Sequence, residues 1–423
     1  MTTTVAIADL RVGMFIHLDV GWMSHPFPLS SFKITSLDQI ETIQGLGLRQ
    51  VRWSPERSDE PTDSTLEDTA RTAEPVVVVQ DPEAAARQRA AQQLDAQQTA
   101  LRVCERQYGE ACRELRRTTD RVGGEPEQAR DAAQALSRAL LDKMLIDGEL
   151  CVRVLNEPAG DRATAHAMNV TIISLLLARG LSLPEAELMD LGTGALLHDV
   201  GKLQLPDRVR LPRDDFSPAE NALYRDHVVQ GVVQGKRMGL STGALLVLAQ
   251  HHEYADGTGF PKGARLEAMA GAARIVSMVN LYDNLCNAAV PSRSLTPHEA
   301  LSRMFAQSRS KFDATILSGF IRLMGIYPPG SVVQLSDERY AMVMSVNAAR
   351  PLKPRVLVFD SRVPSARALH LDLEQTPELG IRRSLRAEQL PARAAEYLAP
   401  RQRVAYFFDN EPVHAEAAEA VSS

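Results

Sequence analysis

The chain has 423 residues, a hydrophobic fraction of 44% and a formal net charge of −6. That length exceeds one ordinary core and predicts two or three domains, while the apolar content excludes global disorder. The net negative charge argues against a basic nucleic-acid surface, so no DNA binding is expected.

The N-terminus, Met-Thr-Thr-Thr-Val-Ala, lacks the charged and apolar regions of a signal peptide. No apolar run reaches the roughly 20 residues that span a bilayer, so no membrane span is expected. Cys104, Cys112, Cys151 and Cys286 show no Cys-x-x-Cys spacing, which predicts reduced thiols and a cytoplasmic protein.

Residues 1–55 predict a small α/β domain. Leu10 to Leu18 alternates apolar and other residues behind Gly13, as a short strand does. Phe32–Ile34 and Gln50–Trp53 predict further strands, and Leu37 to Gly45 a short helix. Residues 56–81 hold a Ser-, Thr-, Asp-, Glu- and Pro-rich linker. The segment 82–155 predicts long helices, broken at Gly123-Gly124 and resuming from Glu127 to Asn156. Leu94, Leu101 and Tyr108 recur at heptad spacing, yet the seam is thin, and a solvated helix is favoured over a coiled coil. A homodimer through this helix, or a signalling-protein partner, is the association the segment suggests.

Residues 156–326 read as successive helices. Ser182-x-x-Glu185, Ser217-x-x-Glu220 and Thr296-x-x-Glu299 match capping boxes, and Gly180 and Gly325 suit helix ends. From 327 to 410 the pattern becomes strand-like, at Ser331–Leu335, Tyr340–Val346 and Arg355–Asp360. Residues 411–423 are expected to fray.

Chemistry concentrates in the helical region. His198-Asp199 lies in an apolar context ahead of Gly201-Lys202, and His251-His252-Glu253 precedes the glycine-rich run Asp256-Gly257-Thr258-Gly259-Phe260-Pro261. Neutral imidazole and carboxylate are ligands for borderline divalent metals. A metal pair held this way can activate water against phosphorus. His166, His198, His227, His251 and Asn280 follow one another at intervals of about one helix and its return. One residue per helix can therefore reach the same end of a bundle. Alone, each residue has a blander reading: His166 as a packed core histidine, Lys202 as a solvated charge, Asp-Gly-x-Gly as a surface loop.

As an ordered set, these motifs with His227-x-x-x-Gly231, Arg274-Ile275 and Asp283 resemble the HD-GYP family of metal-dependent phosphohydrolases. The N-terminal segment, with Trp22 and His25-Pro26-Phe27, resembles the small domain of unknown function that often precedes them. The resemblance implies a mainly α fold, an HD-type helical bundle with a small N-terminal α/β unit and a small C-terminal β-rich unit. It implies cyclic di-GMP as substrate, opened to linear pGpG or GMP, and two divalent metals drawn from Fe, Mn or Zn. By the same resemblance, His166, His198, Asp199 and Asn280 hold the first metal, and Asp199 bridges to a second held by His227, His251 and His252. Lys202 meets the phosphate, Glu253 and Asp283 fix imidazole tautomers, and Gly257, Gly259, Phe260 and Pro261 shape the pocket beside Asp256.

Four positions depart from the family pattern. Asn280 replaces an acidic residue, Arg162 a glutamate of the trinuclear members, Ala289-Val290-Pro291 an Arg-Pro-Tyr, and Phe260 a tyrosine. Loss of the anionic ligand weakens the hold on two cations. Two further readings follow: a catalytically impaired domain that binds a nucleotide or protein, and an HD hydrolase of another phosphoester. Arg293 is the nearby candidate to replace the lost phosphate-contacting arginine.

Overall fold

A computed structural model describes residues 3–20, 25, 27, 31–59, 82–144, 149–155, 160–213, 215–400 and 403–411. Trp22, Pro26, most of the 56–81 linker and nearly all of the 411–423 tail lie outside the described residues. The chain divides into two compact units, Met1–Ala96 and Gln97–Ser423.

The first unit holds an antiparallel sheet in the order β1-β4-β2-β3, from β1 (Thr3–Ala6), β2 (Phe15–His17), β3 (Ser31–Lys33) and β4 (Gln50–Trp53). Helix α1 (Leu37–Gly45) is capped by Ser36, whose side chain accepts from the Gln39 amide. Ile16, Ile34, Ile40, Ile43 and Val51 form its core. The expected strands and helix are present; β1 carried no turn signal that set it apart.

Helix α2 (Pro82–Arg121) is one continuous helix, and its part from Cys104 onward, in the second unit, contributes to the buried core. Tyr108, Ala111 and Leu115 are at most 1% exposed, and the Tyr108 ring meets Phe407 edge-on at 6.1 Å. Of the heptad points Tyr108 packs inside the chain, while Leu94 and Leu101 are half-buried, and the solvated-helix expectation fails beyond Cys104. Helix α3 (Pro126–Met144) stops earlier than predicted, because Glu149–Val154 is a strand, β5, where a helix was expected. Alternation in Leu150-Cys151-Val152-Arg153-Val154 was the strand signal that the helical reading overrode.

The bundle comprises α4 (Arg162–Gly180), α5 (Glu185–Leu197), α6 (Pro218–Arg225), α7 (His227–Met238), α8 (Thr242–Gln250), α9 (Gly271–Cys286), α10 (Pro297–Gln307) and α11 (Ala314–Met324). Ala167 to Ala178 is buried on every side, which makes α4 the central helix. It packs on α5, α9 and α11. The capping boxes at Ser217 and Thr296 form. The one predicted at Ser182 does not: Ser182 has φ 58°, and Pro184 caps α5 without a side-chain bond.

A seven-stranded antiparallel sheet closes the unit, with β6 (Val332–Leu335), β7 (Tyr340–Asn347), β8 (Arg355–Val358), β9 (Leu371–Asp372), β10 (Ile381–Leu385) and β11 (Tyr406–Glu411). Beta 5 pairs with both β7 and β11, so the strand before the bundle and the last strand after it share one sheet. No helix among the described residues is long and apolar enough to cross a membrane.

Lys143 on α3 is 4% exposed, and burial pulls its pKa from 10.5 down to about 8 despite Asp142 and Glu110. Between those values the unfolded chain holds a proton that the native chain has released, so this group makes stability rise with pH. We predict that Lys143→Met removes that rise. Urea unfolding at about pH 7 and about pH 9.5 should show the wild type gaining on the variant by roughly 2 kcal/mol; parallel pH dependence would contradict the assignment.

Candidate metal centre

The bundle brings His166, His198, Asp199, His227, His251 and His252 to one end. His198 ends α5, and Asp199 leads into a tight 3-10 turn, Val200–Gln204, that lies against the start of α7. That approach requires glycine: a Cβ on Gly201 would sit 1.9 Å from the His227 carbonyl oxygen. His227 opens α7 and His251 follows the last residue of α8.

Backbone and carboxylate partners fix the imidazoles. Nδ1 of His198 donates to the Ala195 carbonyl at 2.7 Å, that of His227 to Tyr224 at 2.5 Å, and that of His251 to Leu248 at 2.8 Å. His166 Nδ1 donates to Asp283 Oδ2 at 2.6 Å. Each Nε2 is therefore left with a bare lone pair. The lone pairs face one another in two couples, His166 with His198 and His227 with His251, each separated by 3.2 Å. Burial holds both rings of the His227–His251 couple neutral, so that couple has no proton to share.

Asp199 stands between the couples. Its Oδ2 lies 3.8 Å from His166 Nε2 and 3.5 Å from His198 Nε2; its Oδ1 lies 3.4 Å from His227 Nε2 and 3.8 Å from His251 Nε2. Oδ1 is buried without a hydrogen-bond partner, as is His252 Nε2. Donors about 2.0–2.2 Å from a common cation stand roughly 3 to 3.5 Å apart, which matches these separations. The residues fit divalent metal, and two sets of donor atoms share Asp199: one with His166 and His198, the other with His227, His251 and His252.

The electrostatics agree. Burial pulls His198 down to about 4 and holds His227, His251 and His252 below the usual imidazole range, so they are neutral, as ligands must be. Burial pushes the Asp199 carboxyl up, but Lys202, 2.6 Å from Oδ2, and the histidines outweigh it and keep it ionised.

Asn280 lies behind His251. Its amide reaches the His251 carbonyl at 3.4 Å, and its oxygen accepts from Asn284 at 2.8 Å, so the atom that would ligate is already engaged. Asp283 does fix an imidazole tautomer. Glu253 does not: its carboxylate accepts from the Lys262 and Ala264 amides at 2.7 and 2.8 Å, clamping the exit of the glycine-rich turn. Within that turn Asp256 caps Thr258, and a Cβ on Gly259 would meet the His252 carbonyl at 2.4 Å. Phe260, before Pro261 and after the left-handed Gly257, stacks on His252 with ring centres 4.4 Å apart.

Three residues escaped the sequence reading. Asn169 and Asn287 both donate to Asp283 Oδ1, at 2.7 and 2.9 Å, and Tyr224 sets its ring 5.3 Å from the Lys202 ammonium. The signal existed for the asparagines. They lie three residues after His166 and four after Asp283, on the same helix faces.

We predict that Asp199→Ala loses bound metal at both sets of donors while the helical circular dichroism persists. Elemental analysis of the purified variant checks this; full metal retention would contradict the shared-carboxylate arrangement.

Residues 2–133 match the model of a domain of unknown function, DUF3391, and residues 153–316 match that of the HD domain. The cyclic di-GMP phosphodiesterase PA4108 of Pseudomonas aeruginosa is 29% identical over 380 residues, covering 85% of this chain and 86% of that protein. The cyclic di-GMP phosphodiesterase response regulator RpfG of Xanthomonas campestris is 33% identical over 38% of this chain and 43% of its own length. PdeB of Borreliella burgdorferi, also a cyclic di-GMP phosphodiesterase, is 22% identical over 45% of this chain and 50% of its own. The chain thus spans half or less of those last two relatives. Among solved structures, Bd1817 of Bdellovibrio bacteriovorus, described as an HDG"Y"P protein, covers 76% of this chain and 98% of its own at 16% identity, with a TM-score of 0.39. With the histidine and aspartate motifs in order, the chain carries an HD domain over residues 153–316, preceded by a DUF3391 segment.

Proposed function

We propose that this protein is a metal-dependent phosphodiesterase that hydrolyses cyclic di-GMP to the linear dinucleotide. The observation that carries the reading is Asp199, one oxygen turned to each imidazole couple, at the edge of a cavity of about 380 Å³. The relatives named for this activity support the choice of substrate.

His166, His198 and Asp199 would hold one cation, and Asp199, His227, His251 and His252 a second. Such a pair supplies Lewis acidity at the phosphoryl oxygens and hydroxide at neutral pH. The chain's own contribution is positional. Backbone carbonyls and Asp283 hold the imidazoles aimed, and burial keeps His198, His227, His251 and His252 neutral, with no reorganisation needed. Lys202 balances Asp199 and lines the cavity, where an ammonium can face a phosphate oxygen. Hydrolysis adds water across one P–O bond: the oxygen stays on phosphorus and the ribose oxygen leaves with a proton. The four cysteines are buried and form no disulfide among the described residues, which supports a reducing, cytoplasmic setting.

One observation favours a second reading, a domain that binds cyclic dinucleotide without turnover: the Asn280 oxygen is engaged by Asn284. A neutral residue there leaves only Asp199 as an anion among the direct candidates, against two divalent charges.

We predict that Asn280→Asp raises metal affinity about tenfold or more and speeds hydrolysis of cyclic di-GMP, read by chromatography of the linear product. Unchanged metal content and rate would show that residue 280 does not bear on the site. Asp283→Asn should weaken metal binding by roughly 10–100-fold, since His166 loses the acceptor that aims it; a variant with wild-type metal affinity would contradict this role.

A further inference from the structure

The cavity beside the metal donors is lined by five cationic side chains: Arg116, Arg162, Lys202, Arg210 and Arg403. Three are neutralised within the chain. Arg116 pairs with Asp161 at 2.9 Å, Lys202 with Asp199 at 2.6 Å, and Arg210 with Asp207 at 2.7 Å. The other two differ. Arg162 donates to the backbone carbonyls of Asn287 and Ala289 and is in no ion pair among the described residues; the nearby carboxylate, Asp283, is held by His166, Asn169 and Asn287. Arg403 is exposed, has no partner among the described residues, and lies close enough to Arg162 for the like charges to oppose each other.

Two guanidinium groups that line one cavity, neither of them in an ion pair among the described residues, make a site for an anion. Each guanidinium carries five N–H donors in a planar fork, so Arg162 keeps donors free after its two carbonyl bonds. The position relative to the metal donors says which anion. Arg162 precedes His166 by four residues on α4, one helical turn, and so stands roughly 5–6 Å along the same face. Arg403 adjoins Val404, whose carbonyl accepts from Asn169 and Asn287 behind Asp283. The pair is therefore displaced from the phosphate-activating atoms and lies on the side of His166 and Asp283.

We propose that Arg162 and Arg403 bind the second phosphate of a cyclic dinucleotide, the one that is not being cleaved. The two phosphates of such a ring lie on opposite sides of one macrocycle, several ångströms apart, which suits one at the metal donors and one at the arginines. This rests on the phosphodiesterase reading for the identity of the ligand. It assigns specificity for cyclic dinucleotides over simple diesters to an arginine from α4 and another from the segment before β11. Arg293, the candidate named from sequence, does not line the cavity.

The test uses the full chain, loaded with manganese, and the variants Arg403→Ala, Arg162→Lys and the double variant. Arg403→Ala removes an exposed side chain and leaves the Arg162 carbonyl bonds intact; Arg162→Lys keeps charge but loses the fork. Affinity for cyclic di-GMP is measured by calorimetry, and kcat and KM are measured with cyclic di-GMP and with bis(p-nitrophenyl) phosphate, which has one phosphate. The expected result is an affinity loss of about tenfold or more for Arg403→Ala, larger in the double variant. It should come with a raised KM, and with a fall in the kcat/KM ratio of cyclic di-GMP to the simple diester. Equal affinity in all variants would overturn the inference, as would a parallel loss on both substrates, which would place the arginines at the cleaved phosphate. Wild-type protein that binds cyclic di-GMP without hydrolysing it would overturn the phosphodiesterase reading alone, and the affinity comparison would still decide the role of the arginines.

Discussion

Two couples of imidazole nitrogens face each other across 3.2 Å, and in the His227–His251 couple, where burial keeps both rings neutral, no proton is available to bridge them. Opposed lone pairs repel, and burial removes the water that would separate them. The arrangement is stable when a cation lies between the nitrogens, and Asp199 places one carboxylate oxygen beside each couple. Much of the bundle serves this juxtaposition. The last turns of α5, α6 and α8 present carbonyls that claim every Nδ1 of the buried trio, and the bare Gly201 lets the Asp199 turn touch α7.

The first half of the centre is tied to the far end of the chain. His166 is aimed by Asp283, Asp283 accepts from Asn169 and Asn287, and these asparagines also bond the backbone at Val404 and Tyr406. The strand that starts at Tyr406 pairs with β5, just ahead of the bundle. Sheet and metal centre are thus linked by hydrogen bonds through residues that no ligand pattern would reveal. Loosening the last strand is expected to loosen His166 before the rest of the site. The wall contributed by Arg403 depends on the same segment.

The ligand residues were legible because their chemistry is written locally: paired histidine and aspartate at helix ends, and glycines where no Cβ fits. In the N-terminal unit β2, β3, β4 and α1 fall where the sequence placed three strands and a helix, β2 on the strength of alternation behind Gly13. What escaped depends on long-range partners. Beta 5 is a strand because β7 and β11 flank it, although it follows a helical stretch and a helix was expected there. Tyr108 on α2 is buried because Phe407, about 300 residues later, covers it. The expected role of Glu253 failed for a local reason, since two backbone amides of its own loop reach the carboxylate before any imidazole does. Arg162 stood out in the sequence as a departure from the family, but its neighbour Arg403 is set beside it only by the fold.

The most direct test of the account is the metal content of full-length protein purified without chelator, measured on the same sample as its turnover of cyclic di-GMP. The account predicts about two divalent ions per chain together with formation of linear dinucleotide. Protein that stays metal-free after manganese or iron is supplied would contradict it, because the opposed imidazoles would then have to coexist without a cation.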